Sequence, residues 1–464
     1  MDSPLKLTFD GGTLLVSGGT AAQLALLPGC QWDARTQKYR AEGRYYRVII
    51  ETLRREKWAY TDEARAYQPL TWTQQTSRDP FPHQTEALDT WWQRGARGLV
   101  VLPTGTGKTY LAILAIRKAQ RPAIVVTPTL DLLNQWYDEL ILAFNVPVGL
   151  LGGGYYDLQP LTVTTYDSAY IHLERWGNRY GLLIFDECHH LPGPSYQAIA
   201  VGSIAPFRLG LTATPERSDG QEAILPGLIG PEVYRREIHQ LAGIYLAEYR
   251  TEKLLVDLSA EENERYLLAR SQYRQFVEER GIAMSTPQGW QRFLQETYRS
   301  PEGRTAFLAY REQKQIAMAA PAKLRVLQRL LERHAQDRVI IFTHDNATVY
   351  QIARKFLIPA ITHQTKTKER HALLQKFHSG EYPILVASQV LNEGVNVPAA
   401  NVGIILSGTG SVREHVQRLG RLLRKQAEKQ AVLYEVVTRG TGEEYTSERR
   451  RQHQAYRRED RPQW

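Results

Sequence analysis

The stretch Leu99-Val100-Val101-Leu102-Pro103-Thr104-Gly105-Thr106-Gly107-Lys108-Thr109 decides the fold prediction for this chain. An apolar run ends at Pro103, a loop with two glycines follows, and residues 111–119 have helical apolar spacing. A strand, a Gly-rich loop and a helix start are the parts of a phosphate-binding loop, because backbone N–H groups and the helix N-terminus attract anions. The stretch therefore predicts a nucleotide site that opens an α/β domain.

Within this loop, Lys108 is predicted to reach the β/γ-phosphates, and the Thr109 hydroxyl is predicted to hold Mg²⁺. The first glycine of the usual pattern would fall at position 102, where this chain has leucine. The alternative is a Gly-rich turn that precedes a lysine by chance, and the strand and helix context favours the phosphate loop. The predicted nucleotide-binding residues of the loop are Pro103, Thr104, Gly105, Thr106, Gly107, Lys108 and Thr109.

Length and composition indicate a globular protein of about three domains. The chain has 464 residues, of which 42% are hydrophobic and 23% charged. A net charge of +9 suits a polyanionic partner, although charge alone indicates only solubility. Two cysteines, Cys30 and Cys188, argue against a disulfide framework. With no signal-peptide pattern and no apolar run of membrane-spanning length, we expect a cytoplasmic protein without a membrane segment.

Residues 1–75 predict a small α/β module. Apolar residues alternate on both sides of Asp10-Gly11-Gly12, which is a hairpin pattern, and residues 45–57 predict a basic helix. The arginines, lysines and aromatic residues of this module could stack on nucleic acid and neutralise its charge. A solvated face over a small core explains them equally well.

Residues 76–240 alternate between strands and helices, which predicts a parallel sheet covered by helices. Polar clusters follow the predicted strands directly, at the sheet edge where open α/β sheets bind ligands. The predicted strands after the phosphate loop are 123–127, 161–164, 182–185 and 208–211, and the predicted helix is 130–144.

Asp186-Glu187, after an apolar strand, is the second chemical motif. Asp186 is predicted to hold Mg²⁺ and Glu187 to activate the attacking water. Cys188, His189 and His190 follow, but their spacing does not suit a closed zinc site. We expect His189 to connect the nucleotide site to a neighbouring segment.

Gln84 lies upstream of the phosphate loop, in Phe81-Pro82-His83-Gln84. Its amide both donates and accepts hydrogen bonds, so it could recognise the adenine edge. An isolated glutamine is usually only a surface residue, so this assignment depends on the resemblance described below.

From about residue 241 the pattern changes. Residues 261–280 and 290–320 predict two charged helices, and strands at 338–342, 383–387, 402–406 and 431–437 then predict a second parallel sheet. The helices could be an ordinary solvated hairpin or a protruding insertion, at about 258–318, that grips a nucleic-acid strand.

The second sheet has no phosphate loop of its own but carries a basic motif on a predicted helix, 412–423. Gln417, Arg421 and Arg424 are spaced to lie on one helix face. Arginines held in this way can stabilise phosphoryl charge from across a cleft. We predict these three residues to be catalytic together with Lys108, Asp186 and Glu187.

These motifs, in this order, resemble superfamily 2 helicases, and most closely the XPB family as found in archaea and bacteria. Residues 102–109 resemble its phosphate-loop motif, in which leucine at 102 is normal, and residues 186–189 resemble a DEAH box with cysteine in third place. Residues 212–214, 342–343, 388–397 and 417–424 resemble the later motifs. The resemblance covers nearly the whole chain and implies two RecA-like domains with a thumb-like insertion.

The resemblance also implies site residues and an activity. It places Gly394 and Gln84 at the nucleotide, and it implies ATP-driven 3′-to-5′ DNA translocation or duplex opening in nucleotide excision repair, with Mg²⁺. It implies a structure-specific nuclease as a partner. The residues it implies in coupling to DNA are Pro128, Thr129, Thr165, Tyr166, His189, Thr212, Thr214, Arg217, Asp219, Thr343, Ser388 and Gln389.

Two departures from the family pattern affect this expectation. Arg217-Ser218-Asp219 stands where Arg-Glu-Asp is frequent, so a carboxylate of a wedge-like element is missing. Asn392 and Asn396 replace residues that are commonly acidic. Asparagine keeps an acceptor but loses the charge, so contacts there should be weaker.

Two other functions remain compatible with these motifs. A motor acting on RNA would use the same core, because such motors mostly hold the backbone. A structure-selective DNA-binding ATPase that licenses a partner nuclease would bind forks or bubbles without unwinding them. Domain boundaries are predicted at 1–75, 76–240 and 241–464.

Overall fold

A computed structural model describes residues 4–34, 36–75, 78–217, 219–241, 248–284, 286–388, 400–408 and 430–451. The chain forms two compact units, residues 1–236 and 237–464. Both contain predominantly parallel sheets with helices, as predicted. None of the helices in the described ranges combines the length and the apolar composition that crossing a membrane requires.

The first unit begins with a five-stranded sheet of order β3-β4-β2-β1-β5. The predicted hairpin is confirmed, because β1 and β2 pair antiparallel and are joined at Gly11-Gly12, whose positive φ angles suit glycine. The predicted basic helix is confirmed as α2. The elements are β1 (Leu5–Asp10), β2 (Thr13–Ser17), α1 (Ala21–Leu26), β3 (Gln31–Asp33), β4 (Lys38–Glu42), α2 (Tyr46–Arg55) and β5 (Tyr60–Glu63).

This small sheet packs against the larger sheet of the same unit through close backbone contacts. A Cβ atom at Gly43 would lie 2.4 Å from the carbonyl oxygen of Gly202. Ala66 N donates to Asn178 O at 3.0 Å, and Asn178 Nδ2 donates to Ala64 O at 2.9 Å. Such contacts leave little room for sliding, so the two sheets form one packed body.

The larger sheet has eight strands in the order β13-β6-β12-β11-β7-β10-β8-β9, parallel except for β8–β9. Apolar residues on both faces pack against the covering helices, as in other parallel sheets. The strands are β6 (Arg97–Val101), β7 (Ala123–Thr127), β8 (Gly149–Gly152), β9 (Tyr155–Tyr156), β10 (Leu161–Thr165), β11 (Leu182–Asp186), β12 (Phe207–Thr212) and β13 (Glu232–Arg235).

The helices of the first unit connect these strands. The helix predicted at 130–144 is confirmed as α5 with those bounds. The helices are α3 (Pro82–Gln93), α4 (Lys108–Ala119), α5 (Leu130–Phe144), α6 (Tyr166–Ile171), α7 (Leu173–Trp176), α8 (Gln197–Gly202) and α9 (Leu225–Leu228).

The second unit is built on a six-stranded parallel sheet of order β14-β19-β18-β15-β17-β16. Its predicted strands are confirmed, whereas β14 and β16 were not predicted. The strands are β14 (Glu248–Val256), β15 (Val339–Phe342), β16 (Ala360–Ile361), β17 (Ile384–Ala387), β18 (Val402–Ile405) and β19 (Gln430–Thr438).

The helical insertion of the second unit contains three helices instead of the predicted two. The prediction of one helix over 290–320 is wrong, because Ser300 is extended (φ −144°, ψ 155°) and separates two helices. Pro301 cannot donate to the preceding turn, and the Ser300 hydroxyl caps the next helix by accepting from Gly303 N. The insertion helices are α11 (Ala260–Glu279), α12 (Pro287–Arg299) and α13 (Pro301–Met318). The other described helices of the second unit are α10 (Ile238–Leu241), α14 (Pro321–Arg333), α15 (Asn346–Phe356), α16 (Thr367–Ser379) and α17 (Gly442–Arg451).

Candidate nucleotide site

The Gly-rich loop connects the end of β6 to the first turn of α4. Gly105 and Gly107 have φ angles of +87° and +85°, a conformation that residues with a Cβ rarely adopt. The Thr106 hydroxyl donates to Pro103 O at 2.8 Å, and Lys108 Nζ donates to Leu102 O at 3.0 Å. These contacts give the loop the tight turn that a phosphate cradle requires.

Leu102 departs from the usual pattern without disturbing the loop. Its side chain is fully buried in the core between the sheet and its helices. Its backbone N–H donates to Thr212 O at 3.0 Å, which ties the start of the loop to the end of the neighbouring β12. The leucine therefore anchors the loop through packing.

Gln84 and His83 hold the loop from the side of α3. Gln84 Nε2 donates to the carbonyl oxygens of Thr106 at 3.2 Å and Gly107 at 3.0 Å, and its Oε1 accepts from Phe81 N at 2.9 Å. His83 Nε2 lies 3.0 Å from Thr106 O. The amide predicted to recognise adenine is thus directed at the loop backbone, and its role toward adenine stays a prediction.

Asp186 ends β11 and is buried beside a tryptophan. Trp136 Nε1, on α5, donates to Asp186 Oδ2 at 2.7 Å, and Glu187 N donates to Oδ1 at 3.1 Å. Trp136 is not among the residues predicted from the sequence, because a tryptophan on the apolar face of a helix is usually only a core residue. The two donors fix the carboxylate plane at the carboxyl end of the sheet.

The environment of Asp186 favours its protonated form. Burial raises the pKa of Asp186 to about 6, and the negative charge of Glu187 acts in the same direction. The hydrogen bond from Trp136 and the positive charge of Lys108 oppose this shift. A carboxylate with a raised pKa at a strand end is typical of a functional site.

Glu187 follows in a left-handed conformation (φ +46°), which is unusual for a residue with a side chain. Its Oε2 accepts from the Thr212 hydroxyl at 3.4 Å and lies 3.4 Å from His189 Nδ1. His189 Nδ1 is also 3.0 Å from Thr212 Oγ1. The acidic pair is thereby connected to the end of β12.

Arg217 extends this network away from the nucleotide site. It donates from Nη1 to His189 O at 2.6 Å, and Nε and Nη2 donate to the two oxygens of Asp219 at 2.8 and 2.7 Å. Arg217 holds the pKa of Asp219 well below its usual range, at about 2. The structure therefore brings His189, Thr212, Arg217 and Asp219 together, and their coupling to DNA stays a prediction.

The other predicted DNA-coupling residues of this unit mainly support local structure. Thr129 and Thr165 cap α5 and α6 by accepting from Leu132 N and Ser168 N. Tyr166 is buried, and its hydroxyl donates to Asp186 O at 3.1 Å. Tyr166 is therefore attached to the backbone of Asp186, and its role toward DNA stays a prediction. Pro128 precedes the first cap, and Thr214 N donates to the Thr212 hydroxyl at 3.2 Å.

In the second unit, the predicted residues that the structure describes lie at strand ends. The Thr343 hydroxyl donates to Asp345 O at 3.1 Å after β15, and Ser388 N donates to Ile361 O at 3.1 Å after β17. Several predicted residues and departures lie outside the described residues, namely Ser218, Gln389, Asn392, Gly394, Asn396, Gln417, Arg421 and Arg424.

Three family models match this chain in sequence order. The Xeroderma pigmentosum group B helicase damage recognition domain matches residues 7–64, the type III restriction enzyme res subunit matches 77–217, and the helicase conserved C-terminal domain matches 322–426. The helicase domain of Hef from Pyrococcus furiosus has the same fold, with a TM-score of 0.55 at 20% identity over 79% of this chain and 97% of that one. Together with the phosphate loop and the acidic pair, these matches define a superfamily 2 helicase.

Relatives identify the family within that class. The DNA 3'-5' translocase XPB2 of Sulfurisphaera tokodaii is 39% identical over 431 residues, which are 92% of this chain and 97% of the relative. The DNA 3'-5' helicase XPB of Mycobacterium tuberculosis is 30% identical over 80% of this chain, which spans 62% of that relative. The chain belongs to the XPB family of helicases.

Proposed function

We propose that this chain hydrolyses ATP to move 3′-to-5′ along DNA and to open or remodel the duplex during nucleotide excision repair. The observation that supports this proposal is a continuous series of contacts at the strand ends. Thr212 accepts from Leu102 at the start of the phosphate loop and contacts Glu187 and His189. A change in the γ-phosphate can thus be transmitted to Arg217, which binds His189 O.

The loop residues suit a nucleotide with its metal ion. Within the described ranges, Thr104 Oγ1 is buried without a hydrogen-bond partner, and the glycines at 105 and 107 leave the loop open to a close approach. Thr109 and Asp186 would hold Mg²⁺, which when bound would neutralise charge on the phosphates. Lys108 would then release Leu102 O and bind the β/γ-phosphates.

In this proposal, Asp186 holds Mg²⁺, which leaves the neighbouring carboxylate of Glu187 to orient and deprotonate the attacking water. Gln417, Arg421 and Arg424 stabilise the transferred phosphoryl group, an assignment that rests on the family resemblance. Asp219 and His189 set the position of Arg217 for coupling to DNA.

We further propose the boundaries 1–75, 76–240 and 241–464, with the insertion at about 258–318. The first segment would bind damaged DNA, and a structure-specific nuclease would act with this chain. Both cysteines are free thiols and Cys188 is buried, which suits a reducing cytosol. A place close to the nucleoid follows from the proposed action on DNA.

Steady-state ATP hydrolysis tests the proposal when it is measured without nucleic acid and with single-stranded DNA, forked DNA or RNA. We expect DNA to stimulate hydrolysis well above RNA, and a forked substrate with a 3′ tail to be unwound. Lys108→Ala is the inactive control. Equal stimulation by RNA would favour an RNA motor, and tight fork binding without unwinding would favour a DNA-binding ATPase.

A further inference from the structure

The second unit contains a cavity between the helical insertion and the last helix of the sheet domain. Its volume is about 240 Å³. Residues of α11 and α13 line it on one side, and Gly442, Glu443 and Thr446 of α17 line it on the other. The backbone N–H of Gly442 donates to the Tyr266 hydroxyl at 2.8 Å, which joins the two sides. The cavity therefore lies where the insertion is attached to the sheet.

Aromatic side chains form part of the wall of this cavity. Tyr266, Tyr273 and Tyr310 line it, and the rings of the last two are 5.2 Å apart between centroids. Phe293, which is fully buried, packs against both of these rings, with centroid distances of 5.5 and 5.9 Å. Because the rings are fixed from behind, they are prearranged to stack on a planar group.

Cations surround these rings. Arg270 is half-buried and donates from Nη1 to the Tyr266 hydroxyl at 2.6 Å. Lys314 Nζ lies 5.0 Å from the centroid of the Tyr310 ring. Arg274 and Lys314 are exposed, and neither forms an ion pair with another residue of the described ranges. Their charges are therefore available to an anion.

The acidic residue that lines the cavity does not cancel these charges. Both Glu443 oxygens accept from Lys323 Nζ, at 2.7 and 2.6 Å, and Oε2 also accepts from Thr438 N at 3.0 Å. Because Lys323 compensates this carboxylate, Glu443 does not neutralise the three cations that line the cavity, Arg270, Arg274 and Lys314. The cavity thus combines aromatic faces with uncompensated positive charge.

We propose that this cavity binds a nucleotide, with its base stacked on Tyr273 or Tyr310 and its phosphate at Arg274 and Lys314. A planar aromatic group with an adjacent anion is the chemistry that matches both features. The nucleotide can come from a DNA strand held by the insertion or from free nucleotide, and the first source rests on the proposed function. In either case the site is distinct from the phosphate loop of the first unit.

Photocrosslinking of the full chain tests this proposal and separates the two sources. The probes are an oligothymidylate that contains one 5-iododeoxyuridine, and free 5-iododeoxyuridine monophosphate. We expect crosslinks at Tyr273 or Tyr310, mapped by mass spectrometry. Crosslinking by the oligonucleotide alone assigns the site to a DNA strand, and crosslinking by the monophosphate assigns it to free nucleotide. No crosslink at either tyrosine with both probes would overturn the proposal.

Two double variants that each remove two positive charges provide a second test of the proposal. Arg274→Gln/Lys314→Gln removes two cations at the cavity, and Arg304→Gln/Arg311→Gln removes two exposed cations of α13 that do not line it. For the strand source, the first variant should raise the DNA concentration for half-maximal ATPase stimulation about fivefold or more, at unchanged maximal rate. For the free source, it should lower monophosphate crosslinking by a similar factor.

An equal effect of the two double variants would mean general attraction to DNA and would overturn the proposal. If DNA stimulates hydrolysis while neither tyrosine is crosslinked, the cavity proposal fails and the proposed motor function stands. If DNA does not stimulate hydrolysis, the motor function fails, and the monophosphate crosslink alone decides whether the cavity binds a nucleotide.

Discussion

The two units each bury a carboxylate at their main sheet, but they treat its charge differently. In the first unit, Asp186 accepts from two neutral donors, Trp136 and the backbone of Glu187, and its pKa rises to about 6. In the second unit, Glu443 binds Lys323, and both side chains are 2% exposed. Burying a charge is unfavourable unless it is paired.

This difference separates a functional site from a structural one. The compensated pair joins α14 to α17, and Lys323 also donates to Leu406 O at 2.6 Å after β18. Its charges are satisfied within the protein, so it fixes the fold. The two donors to Asp186 are neutral, so its negative charge is left for a bound cation to compensate. The cost of burying this carboxylate is therefore understandable as a requirement of metal binding.

The largest effect should come from the carboxylate next to Asp186. We expect Glu187→Gln to lower the turnover number for ATP by about 10²–10⁴-fold, because an amide cannot accept the proton of the attacking water. Steady-state hydrolysis with saturating DNA measures this, and a fluorescent ATP analogue should still bind. Glu216→Gln is the control, since this exposed residue pairs with Arg235. A loss smaller than tenfold would refute the role of Glu187 as the base.

Removing the cation of the structural pair should affect stability instead. Lys323→Met leaves Glu443 buried and unpaired, so we expect the free energy of unfolding of the second unit to fall by about 3–5 kcal/mol. Urea denaturation followed by fluorescence measures this change. Lys323→Met/Glu443→Leu should recover most of it, because the unpaired charge is then gone.

A matched exposed pair provides the control for this comparison. Lys376 and Glu381 form an ion pair at 2.7 Å with both side chains about half exposed. Lys376→Met should change stability little, since water replaces the lost partner. If both lysine variants had the same small effect, burial would not distinguish the two pairs, and the structural role of Lys323 would be wrong.

Replacing Trp136, the tryptophan that donates to Asp186, should have a smaller effect on catalysis than replacing Glu187. Trp136→Phe keeps an aromatic ring in the core but removes the N–H that binds Oδ2. We expect the Mg²⁺ concentration for half-maximal ATPase activity to rise about tenfold, because one hydrogen bond to a charged group is worth about 1.5–3 kcal/mol. Trp176→Phe is the control, since it removes a similar buried bond to Ala169 O. Equal Mg²⁺ requirements in both variants would contradict the assignment of Trp136.

Local patterns made much of this fold predictable. The apolar run before Asp186 and the two glycines before Lys108 are local signals, and the strands and loop follow from them. The break at Ser300 was missed although Ser300-Pro301 is a local signal for the start of a new helix. Strand β14 was missed because Arg250, Glu252 and Lys253 make it resemble a polar segment, although it pairs with β19 over its whole length.

The contacts that were not predictable join residues distant in sequence. Trp136 and Asp186 are 50 positions apart, and Lys323 and Glu443 are 120 positions apart. A single sequence shows residue types but not these pairings, so it indicated that Asp186 is functional and gave no partner for it. The same limit explains Gln84, whose amide was expected at adenine before its contacts with the loop carbonyls were visible.

The smallest expected effect is the pH dependence of stability that follows from the burial of Asp186. Its pKa is about 6 in the folded state and near 3.8 when unfolded, so the folded state binds the proton more tightly. Stability should therefore decrease as pH rises from about 4 to about 6 and change little above that. Asp186→Asn cannot ionise, so its stability relative to wild type should increase over the same range.

Thermal unfolding without nucleotide and with EDTA measures this difference, and Asp219→Asn provides a control of opposite sign. Arg217 lowers the pKa of Asp219 to about 2, so that carboxylate stabilises the fold above pH 4 and loses its contribution as pH falls. Asp219→Asn should therefore lose stability relative to wild type as pH rises, where Asp186→Asn gains it. Parallel curves for Asp186→Asn and wild type would show that Asp186 is not held in an uncompensated environment, and the contrast with Glu443 would then disappear.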